Sequence, residues 1–103
     1  MNIRYSNKEI EKACNDVKYS KKVYGIDMAE KIALRLTQIK AASNIDVLIA
    51  CRIGRCHALL GDRRNQYAMD LVHPYRLIFT KCKNEIEFIE IIEIGVLAFK
   101  SSR

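Results

Sequence analysis

Residues 55–79 read Arg-Cys-His-Ala-Leu-Leu-Gly-Asp-Arg-Arg-Asn-Gln-Tyr-Ala-Met-Asp-Leu-Val-His-Pro-Tyr-Arg-Leu-Ile-Phe, and this stretch decides the fold. It divides into three short strands with two tight connections. The first strand is expected over Ile53 to Leu60. Gly61-Asp62-Arg63-Arg64-Asn65 is a turn, because glycine accepts positive φ and Asp and Asn bond back to the local backbone. Gln66 to Val72 alternates. Tyr67, Met69 and Leu71 share one face and Gln66, Ala68 and Asp70 the other, which is the period of a half-buried strand. His73-Pro74 breaks the pattern, since proline has no N–H for a ladder. Tyr75, Leu77 and Phe79 then alternate with Arg76, Ile78 and Thr80.

On the N-terminal side, Ile3 to Tyr5 is a short edge strand. Ser6-Asn7-Lys8-Glu9 has the form of a capping box, and apolar spacing then predicts one helix from Asn7 to Tyr19. Lys18, Lys21 and Lys22 make its end basic, which suits the helix dipole. Gly25 interrupts. Asp27 to Glu30 forms a second capping box, and Ala29, Ile32, Ala33, Leu36 and Ile39 draw an apolar stripe along a helix from Met28 to Ala42. The two helices make a hairpin, and Asp46 caps a further turn from Val47 to Ala50. On the C-terminal side, Cys82-Lys83-Asn84 is a turn and Glu85 to Ala98 is the most β-prone segment, apolar on both faces as inside a sheet. The sum is a single α+β domain over residues 1–103: an N-terminal helical hairpin packed on one face of a small, mainly antiparallel β-sheet.

The chain has 103 residues, 18 Lys and Arg against 12 Asp and Glu, a formal charge of +6 and a pI near 9.3. That balance favours a polyanion or an acidic protein partner. The four cysteines, Cys14, Cys51, Cys56 and Cys82, fall in separate segments without a C-x-x-C pair, so they are expected as apolar filler and not as a zinc site. No long apolar run suggests a secretory signal or a membrane span, and reduced thiols in the cytosol are expected.

His57 is the candidate for proton transfer, since an imidazole titrates near neutrality. Arg55, Arg63, Arg64 and Arg76 lie near it in sequence or across the expected strands, and guanidinium groups bind phosphate in a forked geometry. Tyr67 or Tyr75 offers a ring for base stacking. One histidine amid several arginines on a sheet is the minimum for RNA cleavage without a metal or other cofactor. The plainer reading is a structural strand histidine with solvated arginines. His73 is expected as a turn residue. Cys56 and His57, adjacent on a strand, point to opposite faces.

His57-Ala-Leu-Leu-Gly-Asp-Arg63, then Tyr67-Ala-Met-Asp70, then Tyr75-Arg76-Leu-Ile-Phe79 resembles the HigB branch of the RelE/ParE toxin superfamily, and the element order resembles it over nearly the whole chain. The resemblance implies a compact RelE-like toxin. It would be neutralised by an antitoxin that often carries a helix-turn-helix domain, and would cut mRNA in the ribosomal A site without a metal. By position it implies His57 as acid/base, Arg76 at the scissile phosphate and Arg63 as the basic residue of the turn. Arg55, Arg64, Tyr67 and Lys22 would then contact RNA. Two positions depart from the family pattern. Leu60 stands where Lys is common, and Val96-Leu97-Ala98 stands where active members often carry Asp-Tyr-His. These departures keep a second reading open: a ParE-like or catalytically inactive binding module on the same fold.

Overall fold

The computed structural model describes residues 1–83 and 87–96. Strand β1 (Asn2–Tyr5) leads into helices α1 (Lys8–Asn15), α2 (Val17–Tyr24), α3 (Ile26–Ala41) and α4 (Ile45–Ala50). Strands β2 (His57–Ala58), β3 (Gln66–Asp70), β4 (Tyr75–Lys81) and β5 (Phe88–Val96) follow. The sheet order is β1-β5-β4-β3-β2. Among the described residues only the β1–β5 pairing is parallel, so the mainly antiparallel α+β fold expected from sequence is the one observed, with β5 inside the sheet and β1 and β2 at its edges.

The helical region is more broken than its periodicity suggests. The single helix expected from Asn7 to Tyr19 is two. Asp16 takes an extended conformation, ends α1 and turns its carboxylate to accept the Tyr19 N–H as the N-cap of α2. Asn7, not Ser6, caps α1 through the Ile10 N–H. Gly25 alone joins α2 to α3, at φ 90, and α3 starts at Ile26 without a side-chain cap. Asn44, not Asp46, caps α4 through the Val47 N–H. The first expected strand shrinks from Ile53–Leu60 to His57–Ala58. Arg52, Gly54 and Arg55 all have left-handed backbones (φ 54, 59 and 52), which wind Ile53–Arg55 into a 3-10 turn. Asn84–Ile86 and residues 97–103 lie outside the described residues. With them go parts of the expected turn and last strand, and of the segment aligned with the family's terminal triad.

The helices cover one face of the sheet. Phe79, Leu77, Met69, Ile89 and Ile91 from the strands meet Ile32, Leu36, Ile39 and Leu48 from α3 and α4, all buried. Each such side chain contributes roughly 1.5–3 kcal/mol when taken out of water. Cys56 is buried in this core, and burial pushes its thiol up to about 11, as it does for half-buried Cys14. Cys51 is exposed, so the filler reading fails for it. On the other face Leu59, Ala68 and Ile78 form a second small buried cluster with Ile92 against it. That second face is therefore covered in part.

Candidate functional site

The second sheet face is laid out by strand register. Asp70 of β3 stands opposite Arg76 of β4, which stands opposite Gly95 of β5. In the next row His57, Ala68, Ile78 and Glu93 follow one another across β2, β3, β4 and β5. Neighbouring strands lie about 4.8 Å apart, so His57 and Arg76 are two strand spacings, roughly 10 Å, apart across the sheet and one row apart along it. Arg55 precedes β2 by two residues and so extends the Asp70 row on the far side from Arg76.

Three arginines converge on Asp70. Arg55 Nε donates to its Oδ2 at 2.5 Å, and Arg76 Nε stands 3.2 Å from its Oδ1. Arg35, reaching from α3, donates Nε to the Asp70 carbonyl at 2.6 Å and a second nitrogen to Gln38 at 2.9 Å. Burial lowers the pKa of the Arg35 guanidinium from the usual arginine value, and the Asp70 charge opposes that shift. The two carboxylate contacts differ in kind. Arg55 is well exposed (73%), whereas Arg76 (17%) and Asp70 (24%) are largely enclosed. Oδ1 of Asp70 and Nε of Arg76 are both shut off from water, yet no hydrogen bond forms between them, so that contact is an ion pair without alignment.

His57 is half-buried, and its Nδ1 lies 2.8 Å from the Arg55 carbonyl. A carbonyl oxygen only accepts, so Nδ1 carries the proton and the neutral ring presents Nε2 as its basic nitrogen. The left-handed backbone of Arg55 therefore has two results. It aims this carbonyl at the imidazole and the guanidinium at Asp70. A left-handed non-glycine residue stores about 1–2 kcal/mol, which fits a position held by its surroundings.

Arg63 folds back over the second cluster, donating to Glu93 at 2.9 Å and to Gln66 at 3.0 Å. Its guanidinium lies on the same sheet face as His57, but it is tied to β5 and not to the Asp70 group. Arg64 is exposed in the turn. Tyr67 lies on the opposite face, stacked on Phe79 at 5.7 Å and packed against the helix-side core, so the structure does not bring its ring to His57. Tyr75 meets Tyr24 edge-on at 6.5 Å. Lys22 is exposed on α2, a helix that packs against α1 and α3. Asp70, Arg35 and Glu93 are absent from the residues singled out by sequence. Asp70 had a signal. The alternation of residues 66–72 puts it on the face of Ala68, and the short hairpin puts Arg76 beside it.

No protein-family model matches the chain, and no curated protein matches it in sequence. Solved structures do match. The YoeB dimer from Staphylococcus aureus superposes with a TM-score of 0.63 at 23% identity, covering 95% of this chain and 98% of that one. The YoeB-YefM complex from Staphylococcus aureus gives 0.62 at 22% over the same shares. The YoeB/ParE toxin from Agrobacterium tumefaciens gives 0.62 at 15%, covering 95% of this chain and all of that one. Nearly the whole chain thus takes the RelE-like α+β fold of YoeB/ParE-type proteins, as the element order and residues 57–79 led one to expect.

Proposed function

We propose that the chain is the toxin of a type II toxin–antitoxin pair, of the HigB kind, and that it acts in the cytoplasm as a ribosome-dependent mRNA endoribonuclease. The observation that carries this reading is the anchored imidazole of His57, with Nε2 as its base, one row from two arginines. The fold likeness to YoeB structures, one of them in complex with YefM, and the charge of +6 support it. The partners are then mRNA on the ribosome and a cognate antitoxin, here proposed to carry a helix-turn-helix domain.

The chemistry follows from these groups. Nε2 of His57 takes the proton of a ribose 2′-hydroxyl as its oxygen bonds to the adjacent phosphorus. The bond from phosphorus to the 5′-oxygen breaks, that oxygen takes a proton from water, and a 2′,3′-cyclic phosphate is left. Arg76 and Arg55 meet the charge that grows on the phosphorane. The nucleophile belongs to the substrate, so neither metal nor cofactor enters the scheme. Arg63, Arg64 and Lys22 add positive surface for RNA.

Cleavage of mRNA in a purified translation system, with wild type and His57→Ala side by side, tests this. A-site cuts by the wild type, reduced about 10²–10⁴-fold in the variant, are expected. The hold of Asp70 on both arginines favours a second reading, a non-enzymatic module that inhibits another target or binds only its antitoxin. Intact messages in growth-arrested cells would decide for it.

A further inference from the structure

We propose that Asp70 is a built-in stand-in for a substrate phosphate: it occupies Arg55 and Arg76 in the free protein and yields them when a phosphodiester arrives. The proposal rests on the reading of this face as a site for RNA. Its basis is the unequal grip of one carboxylate on two guanidinium groups. Arg55 is exposed, held at one atom, and able to leave towards solvent. Arg76 is enclosed and stays, but its Nε has a carboxylate 3.2 Å away and no hydrogen bond. A buried donor in that state gains from any acceptor that aligns with it. Its flank away from Asp70 is Gly95, which has no side chain of its own, and the Glu93 carboxylate reaches to 3.4 Å from where a Cβ there would stand.

Asp70 itself cannot drift far. Arg35 pins its carbonyl, and that guanidinium lies so close over Gly54 that a Cβ there would stand 2.7 Å from Arg35 Nε. The carboxylate thus has a fixed anchor, one fixed cation and one movable cation. The carboxylate cancels one of the two guanidinium charges while the site is empty, which lowers its attraction for stray anions. The site offers both guanidinium charges to a ligand only when a polyanion of sufficient charge competes with Asp70.

The test uses the whole protein and a fluorescent single-stranded oligonucleotide of 2′-deoxy sugars, which cannot be cut, in anisotropy titrations across a range of salt. Asp70→Asn keeps the shape and an acceptor oxygen but removes the charge. Binding at low salt should tighten about five- to tenfold, and the salt slope should steepen by roughly 0.7, one further phosphate contact on a single strand. Arg55→Ala should weaken binding more in the Asp70→Asn background than in the wild type, because the guanidinium is already occupied in the latter. Asp70→Ala, which also loses the acceptor, separates structure from charge. A structural role would lower its melting temperature while leaving the affinity and salt slope of Asp70→Asn at wild-type values, and that result would overturn the proposal. Failure of both proteins to bind the oligonucleotide would also overturn it. Tighter binding without cleavage of mRNA would leave the stand-in role intact and remove the nuclease reading. Cleavage with unchanged binding would do the reverse.

Discussion

The two faces of one sheet do different work here, although the same strands build both. Towards the helices, Met69, Leu77, Phe79, Ile89 and Ile91 form a dry layer continuous with α3 and α4. On the other side the apolar patch shrinks to Leu59, Ala68, Ile78 and Ile92, ringed by His57, Arg63, Asp70, Arg76 and Glu93. The helix-side layer supplies most of the burial and so most of the stability. The opposite face has just enough apolar contact to hold the 59–65 turn against the strands, and its remaining positions carry charge. Stability and candidate chemistry are thereby separated by the strand period of two.

Neighbouring residues on β4 give the largest test of that division. Phe79→Ala should lose about 3–5 kcal/mol of stability, because it opens a cavity between strands and helices. Ile78→Ala, one residue earlier and on the other face, should fall in the lower part of the roughly 2–5 kcal/mol range for such truncations, since fewer elements surround it. Urea denaturation of both variants measures the difference. A greater loss at Ile78 would mean that the small cluster, and not the helix layer, holds the sheet together.

Gly54 sharpens the comparison, because it is where the two layers are joined. Alanine there would have to hold φ 59, and its Cβ would push Arg35 off the Asp70 carbonyl. Together these effects should cost roughly 2–4 kcal/mol. In an Arg35→Ala background the same substitution should cost only the backbone strain, about 1–2 kcal/mol. Equal losses in the two backgrounds, read from the same denaturation curves, would show that Arg35 does not couple α3 to β3.

Alternation carried most of what could be read from the residues alone. It separated Tyr67, Met69 and Leu71 from Gln66, Ala68 and Asp70, and the structure keeps that separation. Followed strictly, the pattern also removes Tyr67 from the side of His57, because His57 pairs with Ala68. Offering Tyr67 as a stacking platform weighed its chemistry above its phase. The helix break at Asp16 was hidden because a carboxylate that caps a new helix looks, in sequence, like one on the surface of a continuing helix. The shortening of β2 was hidden because two of the three left-handed residues that precede it, Arg52 and Arg55, are not glycines. The Asp70 group was legible in principle from the hairpin register. The reach of Arg35 from α3 was not, because it depends on how the layers dock.

The smallest expected effect lies with Arg63 and Glu93, which tie the turn to β5. Both side chains are about one-third exposed, so solvent screens their attraction. Removing the pair by Arg63→Ala should cost less than about 1 kcal/mol, and the cost should shrink as salt is added. Glu93→Gln keeps the length and one acceptor and should cost less still. If Arg63 instead acts on RNA, Arg63→Ala will weaken oligonucleotide binding while Glu93→Gln strengthens it, since the guanidinium is then released. Thermal melts and anisotropy on the two variants read these effects separately. Loss of stability without a change in binding would assign Arg63 to the turn, and leave His57, Arg55 and Arg76 as the groups proposed to face RNA.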